Sequence, residues 1–469
     1  MSVGSLRTLP SVEKLLGQEP LVSALRELPR TVVLEAARAT LAEARAALRR
    51  GRQEVAPDAG TLADRAAVRA RLAVLPALRR VLNGTGIVLH TNLGRAPLAA
   101  AAREAVAAVA AGYSSLEYDL ELGRRGDRGL GIERWLVRLT GAPAALVVNN
   151  GAAAILLVLA AVAGGRKVLV SRGELVEIGG SFRVPEIMEA SGATLVEVGA
   201  TNRTHLRDYE RALARHGREV GAILRVHRSN FRMQGFVRLP ELAELAALAK
   251  RHRVPLVEDL GSGALADLAA FGLAHEPTVG ESLAAGAAVV TCSGDKLLGG
   301  AQAGLVLGSA RLVDSAKKHP LARALRTDKL ALAGLEATLA LYADPASARA
   351  AIPTLAMLGA GEAELRARAE RLAQALRARV PGLLAEIAAG EGEVGGGSLP
   401  LQKLRGPVVV FGHPWLAAAE LESRARAAEP PVIGTIRAGA FRLDPRTLAD
   451  DEIELAAGAL SSAWGGDRG

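Results

Sequence analysis

Seven short apolar runs, at residues 144–148, 167–171, 194–198, 220–226, 254–259, 287–292 and 303–307, recur through the middle of the chain, and helical stretches separate most of them. A run that is apolar at consecutive positions suits a strand buried on both faces. Strands that alternate with helices pair in parallel, because each crossover needs about a helix's length of chain. The pattern from about residue 97 to 335 therefore predicts an α/β core, a mostly parallel seven-stranded sheet with helices on both faces. The last run, Ala303–Gly308, is expected to pair antiparallel with its neighbour.

Both flanks have a different texture. Residues 10–80 carry alanine, leucine and arginine at helical spacing, and Thr31 to Arg50 places Val33, Leu34, Ala37, Leu41 and Ala44 on one stripe. Pro57-Asp58-Ala59-Gly60 breaks that pattern before another helix runs towards Arg80. Residues 82–95 look like a loop and short strand leading into the core. Beyond the core, residues 355–390 read as a long charged helix and Gly392 to Gly397 as a flexible break. Short strands at 406–412, 430–437 and 440–444 and a helix at 447–463 then suggest a small α+β unit. The expected division is a helical segment at 1–80, a core at 81–340 and a C-terminal domain at 341–469.

Three stretches of the core carry chemistry. Ser293-Gly294-Asp295-Lys296-Leu297-Leu298-Gly299-Gly300 places a lysine in a glycine-rich turn just after a buried strand. A lysine alone there is commonly a solvated loop charge, but a partly desolvated amine is also what Schiff-base formation with pyridoxal 5'-phosphate (PLP) requires. Upstream, Asp259 ends the run Leu256-Val257-Glu258-Asp259, where ligands bind in open α/β sheets. It fits a turn or N-cap aspartate, or the anion that keeps a pyridinium ring protonated. Glu258 should point to the opposite face. The third stretch, Leu146 to Ile155, runs from a strand through Asn149-Asn150-Gly151-Ala152 into an alanine-rich helix. Asn there is an ordinary N-cap, and the exposed N–H groups of a helix start also make an anion site. In company with Asp259 and Lys296, a phosphate cradle is the better reading, with Ser293 adding a hydroxyl. Asn230, after another strand, is a candidate partner for the cofactor's phenolate oxygen, and His227 is either a ring or substrate contact or a packed histidine.

Composition excludes several alternatives. Aromatic residues make up only 3% of the chain, too few to suggest a base-stacking platform for single-stranded nucleic acid. One cysteine, Cys292, rules out a disulfide framework or a cysteine-rich zinc site, and the histidines lack metal-ligand spacing, so no metal is expected. No signal segment or membrane span is evident, so a cytoplasmic protein is the expectation. Residues 1–80 hold 14 Lys and Arg against 8 Asp and Glu, a balance that suits either a polyanionic partner such as RNA or a solvated arginine-rich surface.

Several longer motifs are specific. Asn83-Gly84-Thr85-Gly86-Ile87-Val88-Leu89-His90-Thr91-Asn92-Leu93-Gly94-Arg95, Ser171 to Phe182, Thr201 to His205 and Ser293 to Gly300 closely resemble those of the bacterial selenocysteine synthase family, over about residues 8 to 455. The resemblance implies a PLP enzyme of fold type I that turns seryl-tRNA(Sec) into selenocysteinyl-tRNA(Sec) with selenophosphate as donor. It implies Lys296 as the Schiff-base lysine, and Arg95, Arg323 and Arg326 as selenophosphate ligands. Arg323 and Arg326 are expected on one helix face, from their spacing of three. It also implies a tRNA-binding N-terminal domain and a homodecamer of five dimers. Two positions depart from the family pattern: Gly151 stands for a third asparagine and Ala301 for a proline. Two other readings stay open at this point, a PLP lyase or transferase acting on a free amino acid or sugar acid, and a non-catalytic RNA-binding protein on the same scaffold.

Overall fold

The computed structural model describes residues 8–50, 55–178 and 182–465. Gly179-Gly180-Ser181, part of one family motif, lie outside the described residues, as do the first seven positions of the basic segment. The chain divides into two compact units, Met1–Arg80 and Val81–Gly469.

Within the first unit, helices Val12–Leu16, Glu19–Glu27, Arg30–Arg49 and Ala59–Val74 pack around one small core. The stripe on Arg30–Arg49 is the expected one with Ala36, Thr40 and Leu48 added, while Leu34 is only partly buried. Gly60 lies inside the following helix rather than in the break. Asp58 is the true N-cap, its side chain accepting from the Thr61 N–H at 2.9 Å.

In the second unit, the seven apolar runs form one seven-stranded sheet. Its strands are β1 (Ala144–Val148), β2 (Lys167–Ser171), β3 (Thr194–Val198), β4 (Val220–Val226), β5 (Leu256–Gly261), β6 (Val289–Ser293) and β7 (Gly304–Gly308). The spatial order is β1-β7-β6-β5-β4-β2-β3. Every pair is parallel except the two made by β7, which is antiparallel to both β6 and β1. β5 and β6 begin two residues later than their apolar runs. Val254 and Ala287 spend their N–H groups closing the preceding helices, on Ala249 and Ser282 carbonyls. Helix Gly151–Ala163 packs on one face with the interior of the sheet, and helices Leu206–His216 and Leu242–His252 bury further residues of β2, β3 and β4.

A second sheet has five strands, in the order Thr435–Arg437, Ala440–Leu443, Lys403–Gly412, Leu384–Gly395 and Ile87–Leu89. Here the structure corrects the sequence reading. The charged helix ends at Arg379, and the first four residues of the supposed flexible break, Gly392 to Gly395, end a twelve-residue strand. Gly392 lies within that strand, and a Cβ on it would meet the Gly86 carbonyl oxygen at 2.5 Å. Ile87–Leu89, read as the way into the core, pairs in parallel with the same strand.

Candidate functional site

The carboxyl ends of β5 and β6 place Asp259 and Lys296 together. Asp259 faces Thr291 across the parallel ladder, and the Thr291 hydroxyl donates to its Oδ1 at 2.9 Å. Lys296 follows β6 in a turn that is fixed on three sides. Gly294 N–H bonds the Ala303 carbonyl, Leu297 N–H the Ser262 carbonyl, and Gly299 N–H the carbonyl of Lys296 itself. Both side chains are buried. Burial pushes the Asp259 carboxyl up, opposed by the Thr291 hydrogen bond and by the charges of Lys296 and His227. Burial likewise pushes the Lys296 amine down, with Asp259 and Asp295 opposing and Arg95 adding to the shift. Both shifts favour the neutral forms, and a neutral amine is the nucleophilic one. Glu258 points away, towards Arg225, and burial pushes it up as well. Cys292, in the same strand as Thr291, is buried with its thiol pushed up to about 12, which keeps it an inert packing group.

The helix Gly151–Ala163 begins beside this pair. Asn150 caps it, its side chain accepting from Ala153 N–H at 2.9 Å and its carbonyl from Ala154 N–H at 3.0 Å. The Gly151 and Ala152 N–H groups are then the ones that the helix cannot satisfy from within. Asn149 is held in place: its N–H donates to the Leu325 carbonyl at 2.8 Å, and its side-chain oxygen accepts from Asn150. Over this turn hangs the Ser293 hydroxyl, 2.5 Å from where a Cβ on Gly151 would sit. The backbone of β7 comes equally close from the other side, since a Cβ on Gly304 would fall 1.9 Å from the Asn150 carbonyl oxygen. A cradle lined by bare backbone, one hydroxyl and a helix start suits a phosphate.

Arg95 reaches the lysine through Asp295, with Nη1 2.7 Å from Oδ2. The other two arginines sit differently from expectation. Helix Pro320–Ala324 stops before Arg326, so Arg323 and Arg326 do not share a helix face. Leu325 leaves the helix because its carbonyl accepts the Asn149 N–H, and Asp328 starts a new helix by capping Leu330 and Ala331. Arg326 lies 3.8 Å from Glu117, a carboxylate shared with Arg125 and Arg128, and Arg323 is exposed. Asn230 is also exposed, and its side-chain N–H is engaged by the Glu177 carbonyl at 2.8 Å. His227 pairs with Glu276 at 3.1 Å while its backbone N–H bonds the Asp259 carbonyl.

Sequence reasoning missed the residues that close the site. Gly395, Gly396 and Gly397 all have positive φ, at 75°, 58° and 73°, and carry the chain from the second sheet over to the lysine. A Cβ on Gly397 would lie 3.9 Å from Lys296 Nζ, 3.8 Å from Ser229 Oγ and 3.7 Å from the Asn230 Cβ. The Ser229, Ser262 and Ser398 hydroxyls and Arg95 Nε, all from segments that meet around Lys296, are buried without hydrogen-bond partners. Orphaned donors of this kind, a phosphate cradle, a dry carboxylate and a dry amine are the groups that a phosphorylated aldehyde with a basic ring nitrogen needs, so the residues fit PLP. Three glycines in a row were the visible signal, but nothing local says which distant lysine they face. Among the described residues no cluster of His, Cys, Asp and Glu could hold a metal ion, and no helix is long and apolar enough to cross a membrane.

Comparisons with known proteins agree with one another. Residues 81–449 match the family described as L-seryl-tRNA selenium transferase, and residues 6–45 match the selenocysteine synthase N-terminal family. The L-seryl-tRNA(Sec) selenium transferase of Geobacter sulfurreducens is 48% identical over 96% of this chain and 98% of its own. The protein of the same name from Nitratidesulfovibrio vulgaris is 51% identical over 82% of each. Among solved structures, a D-glucosaminate-6-phosphate ammonia-lyase shares the fold with a TM-score of 0.56 at 20% identity, covering 85% of this chain and 99% of that one.

Proposed function

The chain belongs to the L-seryl-tRNA selenium transferase family, with the fold type I architecture of PLP enzymes, and from that membership we propose that it converts seryl-tRNA(Sec) into selenocysteinyl-tRNA(Sec) with selenophosphate as donor. The observation that carries the proposal is the meeting of Lys296, Asp259 and the Gly151–Ser293 cradle at one end of the sheet. Bound there, PLP supplies an electron sink that makes the serine α-proton removable. The Gly151 and Ala152 N–H groups, the Asn149-Asn150 turn and the Ser293 hydroxyl would hold its phosphate, and Lys296 would be its point of attachment. Asp259, fixed by Thr291, would be drawn back to its ionised form by a positive ring nitrogen and would hold that charge in turn, while Asn230 and Ser229 would lie near the phenolate oxygen. The Lys296 amine, released once the serine amine has taken its place and favoured in its neutral form by burial, would take the proton from the serine Cα. The β-hydroxyl would leave with a proton as water, and the selenium of selenophosphate would bond to the β-carbon while water cleaves its P–Se bond and phosphate is released. Arg95, Arg323 and Arg326 are proposed to hold the donor, Arg95 already being tied to the catalytic turn by Asp295.

The basic segment 1–80 is proposed to bind the tRNA, supported by its charge and by its match to the family's N-terminal region. A cytoplasmic ring of five dimers follows the family pattern. The test incubates the full chain with PLP, seryl-tRNA(Sec) and selenophosphate and identifies the amino acid on the tRNA. Selenocysteine is expected from the native chain, and unaltered serine from Lys296→Ala, which should also yield no pyridoxyl-lysine after borohydride reduction. Serine left on the tRNA by the native chain, with turnover of a free amino acid or sugar acid instead, would replace this reading with that of a small-molecule lyase.

A further inference from the structure

One residue before Ser229, the chain turns away from the lysine and lines a separate cavity of about 660 Å³. Its polar wall is Arg225, His227, Arg228, Arg232, His275 and Glu276, and the loop Leu399–Gln402, which continues from Gly397, closes it. Two of the basic groups are already committed. Arg225 is paired with the buried Glu174 at 3.0 Å, and His227 with Glu276 at 3.1 Å. His275 stands near Asp267 and Glu281. Arg228 and Arg232 have no carboxylate within 4.0 Å among the described residues. Arg228 Nη1 is buried without a hydrogen-bond partner, and its guanidinium rests near the Phe231 ring at 5.9 Å. Arg228 also feels the charge of Glu174 from beyond 4.0 Å, and a partly buried guanidinium with an unmet donor, beside an Arg232 guanidinium without an ion pair, is a site for a phosphate-type anion.

The cavity also has the right address. Ser229 Oγ and Lys296 Nζ stand 3.7 and 3.9 Å from the same point, the Cβ position of Gly261, so they are separated by no more than those two lengths together. Arg228 is the next residue along. A ligand reaching both places must have a reactive group at one end and a phosphodiester a short way behind it. Aminoacyl-RNA has that form, with its terminal phosphodiester one sugar away from the ester. We propose that Arg228 and Arg232 hold a phosphodiester of the terminal nucleotides of the aminoacyl-RNA, so that this cavity sets the depth at which the esterified amino acid reaches Lys296. The proposal rests on the activity inferred above.

The test is steady-state kinetics of the full PLP-loaded protein with Arg228→Gln, Arg232→Gln and both, varying seryl-tRNA(Sec) and selenophosphate separately. Each single substitution should raise KM for seryl-tRNA about 10-fold or more, the scale of one charge-assisted hydrogen bond. The slope of log affinity against log salt should fall by about 0.7 per arginine, as for a single-stranded phosphate. KM for selenophosphate and the cofactor spectrum should not move. Arg232 is exposed, so its substitution remains readable even where Arg228→Gln folds poorly. A raised KM for selenophosphate with that for seryl-tRNA unchanged would assign the cavity to the inorganic donor and overturn the proposal, as would no change in either. A native chain that never acts on seryl-tRNA would instead remove the activity on which the proposal rests.

Discussion

Gly304→Ala is the sharpest test of how the cradle is built. The added methyl would lie 1.9 Å from the Asn150 carbonyl oxygen, 2.4 Å from its carbon and 3.0 Å from the Ala154 Cβ. An ordinary Cβ contact starts at 3.4 Å, so something must open by about 1.5 Å. Gly304 cannot retreat, because β7 is laddered to Ser293 on one side and Val148 on the other. The Asn149-Asn150-Gly151 turn must therefore move, although the Leu325 carbonyl and the Asn150 cap both hold it. Overpacking of this kind costs about 1–3 kcal/mol, and loss of the cap about 1 kcal/mol more, so a destabilisation of about 3 kcal/mol is expected. Displacing two N–H donors from a phosphate should also weaken PLP binding by about 100-fold. Urea unfolding and titration of the cofactor-free protein with PLP measure the two effects. Gly458→Ala is the control: it lies in helix Asp450–Gly465 with nothing near its Cβ position and should stabilise by up to about 1 kcal/mol. If Gly304→Ala unfolds within about 0.5 kcal/mol of the native chain and binds PLP within twofold, the cradle is not where we place it.

Gly397 and Gly439 have nearly the same φ, 73° and 74°, but only Gly397 faces Lys296, so alanine at each should cost a similar ~1 kcal/mol. Only Gly397→Ala should slow turnover, and equal rates for the two would show that the glycine triplet does not wall the site. Glu174 is raised from 4.5 to about 7 chiefly by burial, with the charge of Arg225 opposing. A raised folded pKa gives stability that is complete below pH 4.5 and is lost as pH climbs to about 7, here by about 3 kcal/mol. Urea midpoints at pH 5 and pH 8 should therefore differ in the native chain, and Glu174→Gln should flatten that dependence.

The inner strands of the central sheet were legible because their burial is written in their own residues. Val289 to Ser293 and Gly304 to Gly308 are buried at every position, and no distant partner is needed to recognise them. Lys296 and the Asn149–Ala152 turn, which follow strands of the sheet, and Asp259, near the end of one, were legible for a related reason. Leu384–Gly395 was not. Its Ala, Gly and Glu residues have little strand preference, and it is held by Lys403–Gly412 and by Ile87–Leu89, nearly 300 residues upstream. The misplacement of Arg326 was avoidable in part, because Thr327-Asp328 ahead of a new apolar stretch is an N-cap signal and marks where one helix must have ended.

The same long-range pairing bears on where the catalytic unit ends. A fragment stopping near residue 340, where the sequence suggests a boundary, would keep Lys296, Asp259 and the cradle, all of which lie on the central sheet. It would lose the strand that pairs with Ile87–Leu89, and those residues lead directly to His90 and Arg95. Gly397 would go as well, and with it the backbone that stands over the lysine amine. Without that cover, water reaches Lys296 and the desolvation that favours its neutral amine is reduced. The second sheet therefore belongs to the chemistry of the site through the dryness of one amine, although it contributes no reactive side chain.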